Sequence, residues 1–303
     1  MKHFLKLLDL TGDEIVNLLN IADQLKYETK NGIVHHHLAG KTLGMIFTKS
    51  STRTRVSFEV GMYQLGGYPL FLSSNDLQLG RGEPIEDTAK CMSRYVDGIM
   101  IRTFKQSDVE DLAKYGSIPV INGLTDDFHP CQVLADLMTI REQKGALAGL
   151  KLCFIGDGHN MANSLAVGGL KVGMQVCMAM PKGYDKLHPD VVAFTKGKTG
   201  FSIIDDPVAA AKNADVVVTD VWSSMGQEDE AEARKKAFAG YQVNDALMAH
   251  AKPDANVLHC LPAKRGQEIT AEIIDAHPEI FDEAENRLHA QKAVLLTLMR
   301  DKK

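Results

Sequence analysis

Residues 51–55 read Ser-Thr-Arg-Thr-Arg and stand between an apolar run at 43–47, Leu-Gly-Met-Ile-Phe, and a helical pattern from about 56 to 65. A strand-to-helix turn gathers free backbone N–H groups and the positive end of the helix dipole at one spot. Anions settle there, phosphate above all. Ser51, Thr52 and Thr54 add hydroxyls, and Arg53 and Arg55 add planar guanidinium forks that match phosphate oxygens. A helix cap needs one Ser or Thr, so a turn this polar exceeds that need and points to an oxyanion site. The nucleotide loop Gly-x-x-x-x-Gly-Lys-Ser/Thr is absent.

Other chemistry-bearing residues recur where strand-like runs end. His129-Pro130-Cys131-Gln132 opens a helical pattern, with Pro130 suited to a first turn, so His129 and Gln132 could donate to a carbonyl or phosphate oxygen. Gly156-Asp157-Gly158-His159-Asn160 superficially resembles a dinucleotide fingerprint. Met161 stands where the third glycine belongs, and the next strand ends in Met180-Pro181 instead of a ribose-binding acid, which weakens a dehydrogenase reading. Asn160 and Asn163 could still hydrogen-bond a ligand there, or simply cap the helix. Asp220, after the run 215–219, is well placed for an ammonium group. His259-Cys260-Leu261-Pro262 ends another run; a strand-end cysteine beside histidine can have a lowered pKa, although a buried inert thiol is the commoner case.

The elements that must position these groups alternate short apolar runs with helical patterns, the pattern of parallel α/β architecture. The runs fall at 43–47, 70–72, 98–101 and 118–121, then at 152–155, 176–179, 201–204, 216–219 and 257–259. We expect two doubly wound parallel-sheet domains, 1–133 and 134–284, joined by helices. A C-terminal helix at 285–303 crosses back to the first domain. The seam lies in the helix that starts near Pro130 and ends around Lys144. Thr11-Gly12-Asp13-Glu14 reads as a capping box opening a helix with Ile15, Leu18, Leu19, Ala22 and Leu25 inward. His35-His36-His37 reads as surface.

A chain of 303 residues suits two domains, and 45% apolar with 24% charged residues is ordinary for a globular protein. A net charge of −5 without a Lys/Arg-rich run argues against nucleic acid and anionic membranes as partners. No apolar run reaches membrane-span length, and the N-terminus has too short an apolar core for a signal peptide, so a cytoplasmic protein is expected. Five cysteines without a Cys-x-x-Cys pair argue against a disulfide framework or zinc ribbon.

Taken together, in this order and over essentially the whole chain, these motifs resemble the carbamoyltransferase family, most closely its ornithine branch. Ser51–Arg55 with Ser57-Phe58-Glu59 is similar to the family's carbamoyl phosphate motif, and 129–132 to its second motif. Asp220 with Ser224-Met225-Gly226 is similar to the ornithine loop, and 259–262 to the cysteine motif. The resemblance implies transfer of the carbamoyl group of carbamoyl phosphate to the side-chain amine of L-ornithine, giving L-citrulline and phosphate. Related acceptors, putrescine or N-acetylornithine, are the alternative. It implies that Ser51, Thr52, Arg53 and Thr54 hold phosphate, and that Arg102, His129, Gln132 and Arg287 hold the carbamoyl end. Asn160, Asp220, Ser224 and Met225 would hold ornithine, while Cys260 and the Leu261 carbonyl would join the carbamoyl phosphate contacts, near the reacting amine and carbamoyl group. Catalysis would fall to Arg53, Arg102, His129 and Cys260. It further implies a homotrimer in which Gln78 completes a neighbour's site. No metal or organic cofactor is needed for this reaction. A nicotinamide dehydrogenase and a non-catalytic phosphometabolite sensor are the competing classes; the presence of both Asp220 and Cys260 favours catalysis.

Overall fold

A computed structural model describes residues 1–223 and 230–300. The Thr11 hydroxyl accepts from the Glu14 N–H while the Glu14 carboxylate accepts from the Thr11 N–H, which starts α1 (Gly12–Lys30) with its apolar stripe buried. There follow β1 (Thr42–Phe47), α2 (Thr52–Gln64), β2 (Tyr68–Ser73), α3 (Ile85–Met92), β3 (Gly98–Arg102), α4 (Gln106–Tyr115), β4 (Val120–Leu124) and α5 (Pro130–Lys144). The second series is β5 (Lys151–Ile155), α6 (Asn160–Lys171), β6 (Gln175–Ala179), α7 (Pro189–Thr195), β7 (Phe201–Ile204), α8 (Pro207–Ala211), β8 (Val216–Thr219), α9 (Ala231–Ala237), α10 (Asp245–Met248), β9 (Asn256–His259), α11 (Ala271–Ala276) and α12 (Glu279–Met299). The chain divides into two compact units, residues 1–135 with the chain from Asn286 onward, and residues 136–285. Both boundaries fall inside helices, α5 and α12.

In the first unit all strands are parallel in the order β2-β1-β3-β4. Crossovers leave β1 in opposite directions, so the order reverses between β1 and β3, and ligands bind beyond the carboxyl ends of strands at such a point. The 51–55 turn follows β1 and Arg102 ends β3; the two strand ends are tied by Thr48 N–H donating to the Arg102 carbonyl at 2.9 Å. One face of the sheet packs Ile46, Ile99, Ile101 and Val120 against Ala89, Val109 and Leu112 of α3 and α4.

The end of α12 belongs to this unit. Gly61 of α2 allows it close approach: a Cβ there would stand 3.2 Å from Lys292 Cγ and 3.4 Å from Leu288 Cδ1. Buried Lys292 then donates to Gln64 Oε1 at the far end of α2 (2.8 Å) and to Thr29 Oγ1 of α1 (2.7 Å). The Leu25 carbonyl, at 3.5 Å, and His35, at 3.2 Å, complete its surroundings, so His35 is a buried structural residue, while His36 and His37 are exposed. The expectation of a surface triplet fails for His35 because a buried ammonium needs acceptors.

The second unit has the parallel order β7-β6-β5-β8-β9, reversing between β5 and β8. Asp157–Asn160 follow β5 and Asp220 follows β8. Edge strand β9 is covered by the first turns of α12: Val257 N–H donates to Glu279 Oε1 at 3.0 Å and His259 N–H to Glu283 Oε2 at 2.9 Å. The spacings agree, since four helical residues rise about 6 Å and two strand residues about 6.6 Å. Gly158 serves packing: a Cβ would lie 2.8–2.9 Å from backbone atoms of Tyr184 and Lys186. That explains the superficial fingerprint without a pyrophosphate. No helix among the described residues is long and apolar enough to cross a membrane.

Candidate active site

The 51–55 turn forms because Ser51, extended in backbone, caps α2 by accepting from the Thr54 N–H at 3.2 Å. The helix therefore starts at Thr52, earlier than the apolar pattern suggested, and the site residues occupy its first turn, where N–H groups point outward. Thr54 is buried, and its Oγ1 accepts from two guanidiniums: Arg102 Nη1 at 3.4 Å and Arg287 Nη2 at 3.2 Å. Arg287 also donates through Nη1 to Gln132 Oε1 at 2.6 Å. With its amide oxygen toward the guanidinium, Gln291 accepts from Arg287 Nη2 and Nε at 2.9 and 3.1 Å and donates to Ser57 Oγ at 2.6 Å. These three partners, Thr54, Gln132 and Gln291, are neutral side chains that orient the fork.

His129 stands just before α5 and is buried. Burial, and then the charges of Arg287, Arg102 and Arg53, hold its pKa well below the ordinary histidine value. The ring is therefore neutral at pH 7 and can donate one hydrogen bond to a carbonyl oxygen without adding charge. Arg53 is half-buried. A cleft of ≈ 400 Å³ opens beside the turn, lined by Ser50, Ser51, Thr52, Arg55, Phe47 and Phe71 among others.

The two arginines of the turn diverge. Arg55 lies 3.6 Å from the Phe71 ring centroid and pairs through Nε with Glu59 at 3.0 Å. Of the two arginines in 51–55, Arg53 is half-buried in the first turn of α2, whereas Arg55 is exposed and turns its Nε to Glu59 one helical turn on. Gln78 opens a short 3-10 turn, Gln78–Arg81, and is exposed; it is not among the residues gathered around Thr54.

In the second unit Thr219 and His259 are register partners, so the residues after them, Asp220 and Cys260, meet. The Cys260 thiol donates to Asp220 Oδ1 at 3.0 Å, and the same oxygen accepts from Val221 N–H at 2.7 Å. Asn160 opens α6 and is buried. Asn163 is structural: its Oδ1 accepts from His188 N–H at 2.9 Å. Ser224, Met225 and Gly226 lie outside the described residues.

Cys260 corrects the expectation of a lowered thiol pKa. Burial, and then the adjacent Asp220 carboxylate, push it well above the ordinary value. His259 gives the thiol no help, because its ring nitrogens face Leu261 N–H and Glu268. One ligand atom each of Asp220, His259 and Cys260 lies within 4.8 Å of the others, a spacing a metal ion could use, but both imidazole nitrogens are already engaged. Cys260 is thus a protonated donor at neutral pH. Alkylation by iodoacetamide at pH 7.5, followed by peptide mapping, should label exposed Cys91 well before Cys260, and labelling of Cys260 should accelerate only at alkaline pH. Faster labelling of Cys260 at pH 7.5 would show a thiolate.

Sequence reasoning missed Gln291, which shares the Arg287 fork, and Arg234. Arg234 is buried, donates to Asp157 Oδ2 at 2.5 Å and to the Trp222 carbonyl at 3.1 Å, and pairs with Glu230 at 2.9 Å. An arginine in the charged run 234–236 carries no signal that it turns inward.

Comparison with known proteins matches both units. Residues 2–142 fit the family model described as the carbamoyl-P binding domain of aspartate/ornithine carbamoyltransferase, and residues 148–298 its Asp/Orn binding domain. The chain is 58% identical over 302 residues to an ornithine carbamoyltransferase of Caldicellulosiruptor saccharolyticus, covering 98% of each. It is 55% identical over 304 residues to that of Thermococcus kodakarensis, covering 98% of this chain and 96% of that one. The solved ornithine carbamoyltransferase from Pyrococcus furiosus superposes with a TM-score of 0.95 at 52% identity, over 100% of this chain and 98% of the other. With both halves matched and identity above half along nearly its full length, the chain belongs to the aspartate/ornithine carbamoyltransferase family.

Proposed function

We propose that the protein transfers the carbamoyl group of carbamoyl phosphate to the side-chain amine of L-ornithine, forming L-citrulline and phosphate in arginine metabolism. The observation that carries the reading is the cluster on Thr54: two guanidiniums bonded to its hydroxyl beside a neutral histidine and a helix N-terminus. That combination suits a dianionic phosphate joined to an uncharged carbonyl. Residues 1–133 with 285–303 take carbamoyl phosphate, with Ser51, Thr52, Arg53 and Thr54 on the phosphate and Arg102, His129, Gln132 and Arg287 on the carbamoyl end. Residues 134–284 take ornithine, through Asn160, Asp220, Ser224 and Met225. All five cysteines are free thiols, which suits the reducing cytoplasm.

The ornithine side-chain amine has a Lys-like pKa of about 10.4, so roughly one molecule in a thousand is neutral at pH 7. Its lone pair attacks the carbamoyl carbon, and the carbonyl oxygen takes on negative charge. Arg102, His129 and Thr54 stabilise that charge. Collapse breaks the carbon–oxygen bond to phosphate, whose departing charge Arg53 and the first turn of α2 receive, while the proton released by the attacking nitrogen passes to the departing phosphate. Cys260, protonated and bonded to Asp220, orients the carboxylate; carbamoyl phosphate is already activated and needs no covalent intermediate.

Steady-state assays with different acceptors test the assignment. Ornithine should exceed N-acetylornithine in kcat/KM by roughly a hundredfold or more, because acetylation removes the α-ammonium charge that a half-buried carboxylate at Asp220 would pair with, and it should also exceed putrescine, which keeps both amines but lacks the α-carboxylate. Equal turnover of putrescine sinks the assignment, and preference for N-acetylornithine selects the related acceptor.

The assembly is proposed as a homotrimer with Gln78 reaching a neighbour's carbamoyl phosphate, on the support of family resemblance and the exposure of Gln78. Mixing Gln78→Ala and Arg53→Ala subunits should give activity above the average of the two parents. Some interfaces then combine an intact Arg53 with an intact Gln78. Activity equal to that average, with subunit exchange verified by mass, assigns each site to a single chain.

A further inference from the structure

Edge strand β9 ends at His259, and the chain turns through Cys260 and Leu261. His259 is buried, with Nδ1 2.8 Å from Leu261 N–H and Nε2 3.1 Å from Glu268 Oε1. A backbone N–H can only donate, so Nδ1 is the acceptor and carries no proton. The ring proton therefore sits on Nε2 and is given to Glu268. Glu268 is itself fully buried, and the same oxygen accepts from Lys264 N–H at 2.6 Å. Leu261 has φ +54°, a left-handed conformation that a residue with a Cβ adopts only under restraint. The imidazole that accepts from its N–H is one such restraint.

We infer that His259 and Glu268 are positioning residues for the reaction. Glu268 fixes the tautomer of His259, and His259 holds Leu261 left-handed, which aims the Cys260 thiol at Asp220 and sets the direction of the Leu261 carbonyl. The inference rests on the reading of Asp220 and Cys260 proposed above.

Paired substitutions separate positioning from packing. His259→Asn places an amide oxygen where Nδ1 stands, keeping the bond to Leu261 and giving up Glu268. His259→Gln reaches the Nε2 position, keeping Glu268 and giving up Leu261. Both remove the same ring from the core. The expected result is that His259→Asn keeps kcat within roughly fivefold of the unsubstituted enzyme. His259→Gln should lose about a hundredfold in kcat, the scale of a misplacement near 1 Å, with the thermal midpoints of the two variants shifted alike. Equal losses in the two variants, or the better activity in His259→Gln, overturn the inference. Cys260→Ala and Asp220→Ala are run beside them: unimpaired turnover in both overturns that reading itself, and the inference with it. If both are impaired while the His259 pair is equal, only the positioning role falls. In the intact enzyme, 15N spectra of the imidazole should show His259 protonated on Nε2. A proton on Nδ1 overturns the inference without reference to any variant.

Discussion

Arg53→Ala should lower kcat/KM for carbamoyl phosphate by roughly a hundredfold to a thousandfold, the range for removing one charged donor aimed at developing charge. Two features make Arg53 the arginine of choice. Arg55 is committed to Glu59 and Phe71, and Arg287 is committed to orienting Thr54 and Gln132. Arg53 is half-buried in the first turn of α2, where its charge adds to the N–H groups of the helix. The helix itself does not depend on it, since Ser51 supplies the cap, so the thermal midpoint should move little. Arg55→Ala is the matched comparison and should change kcat/KM far less. Steady-state kinetics with both substrates and thermal denaturation of both variants decide the matter. Similar kinetics for Arg53→Ala and the unsubstituted protein would reduce the turn to a capped helix.

The second large effect is expected at Asp220. Asp220→Asn keeps the shape of the side chain and removes its charge, so KM for ornithine should rise roughly a hundredfold, the scale of losing a charged hydrogen bond with its partner left unpaired. KM for carbamoyl phosphate should stay nearly constant. The thiol responds in a defined direction. The carboxylate is one cause of the raised Cys260 pKa, so removing its charge lowers that pKa, while burial, the larger cause, keeps it above the ordinary value. Alkylation of Cys260 should then become faster at a given alkaline pH. Unchanged ornithine KM in Asp220→Asn would remove Asp220 from the acceptor site.

Much of the fold was legible because parallel strands buried on both faces read as short apolar runs, and the residues that follow such runs fall at carboxyl ends by necessity. That rule placed 51–55 after β1, Asp220 after β8 and Cys260 after β9 without any tertiary information. Element starts were less legible. Polar residues of the first turn hid the true beginning of α2 at Thr52, and α12 begins at Glu279, ahead of the expected 285, because Glu279 and Glu283 are spent on covering β9.

By itself, then, the amino-acid order determined the parallel architecture, the strand-end position of the candidate residues and the family pattern they form. All of these depend on neighbours within a few positions along the chain. The tertiary structure alone decided what state and direction each group has. Thr54 meets Arg287 across 233 positions, and Cys260 meets Asp220 across 40. His129 is neutral because burial, and then the charges of guanidiniums from three separate elements, disfavour its protonation, and Cys260 is a thiol because folding buries it against a carboxylate. Arg55, identical in type to Arg53, is diverted by Glu59 and an aromatic ring from the next strand. Protonation and orientation are set by desolvation and by charges a few ångströms away in space, and neither distance is written in the local sequence.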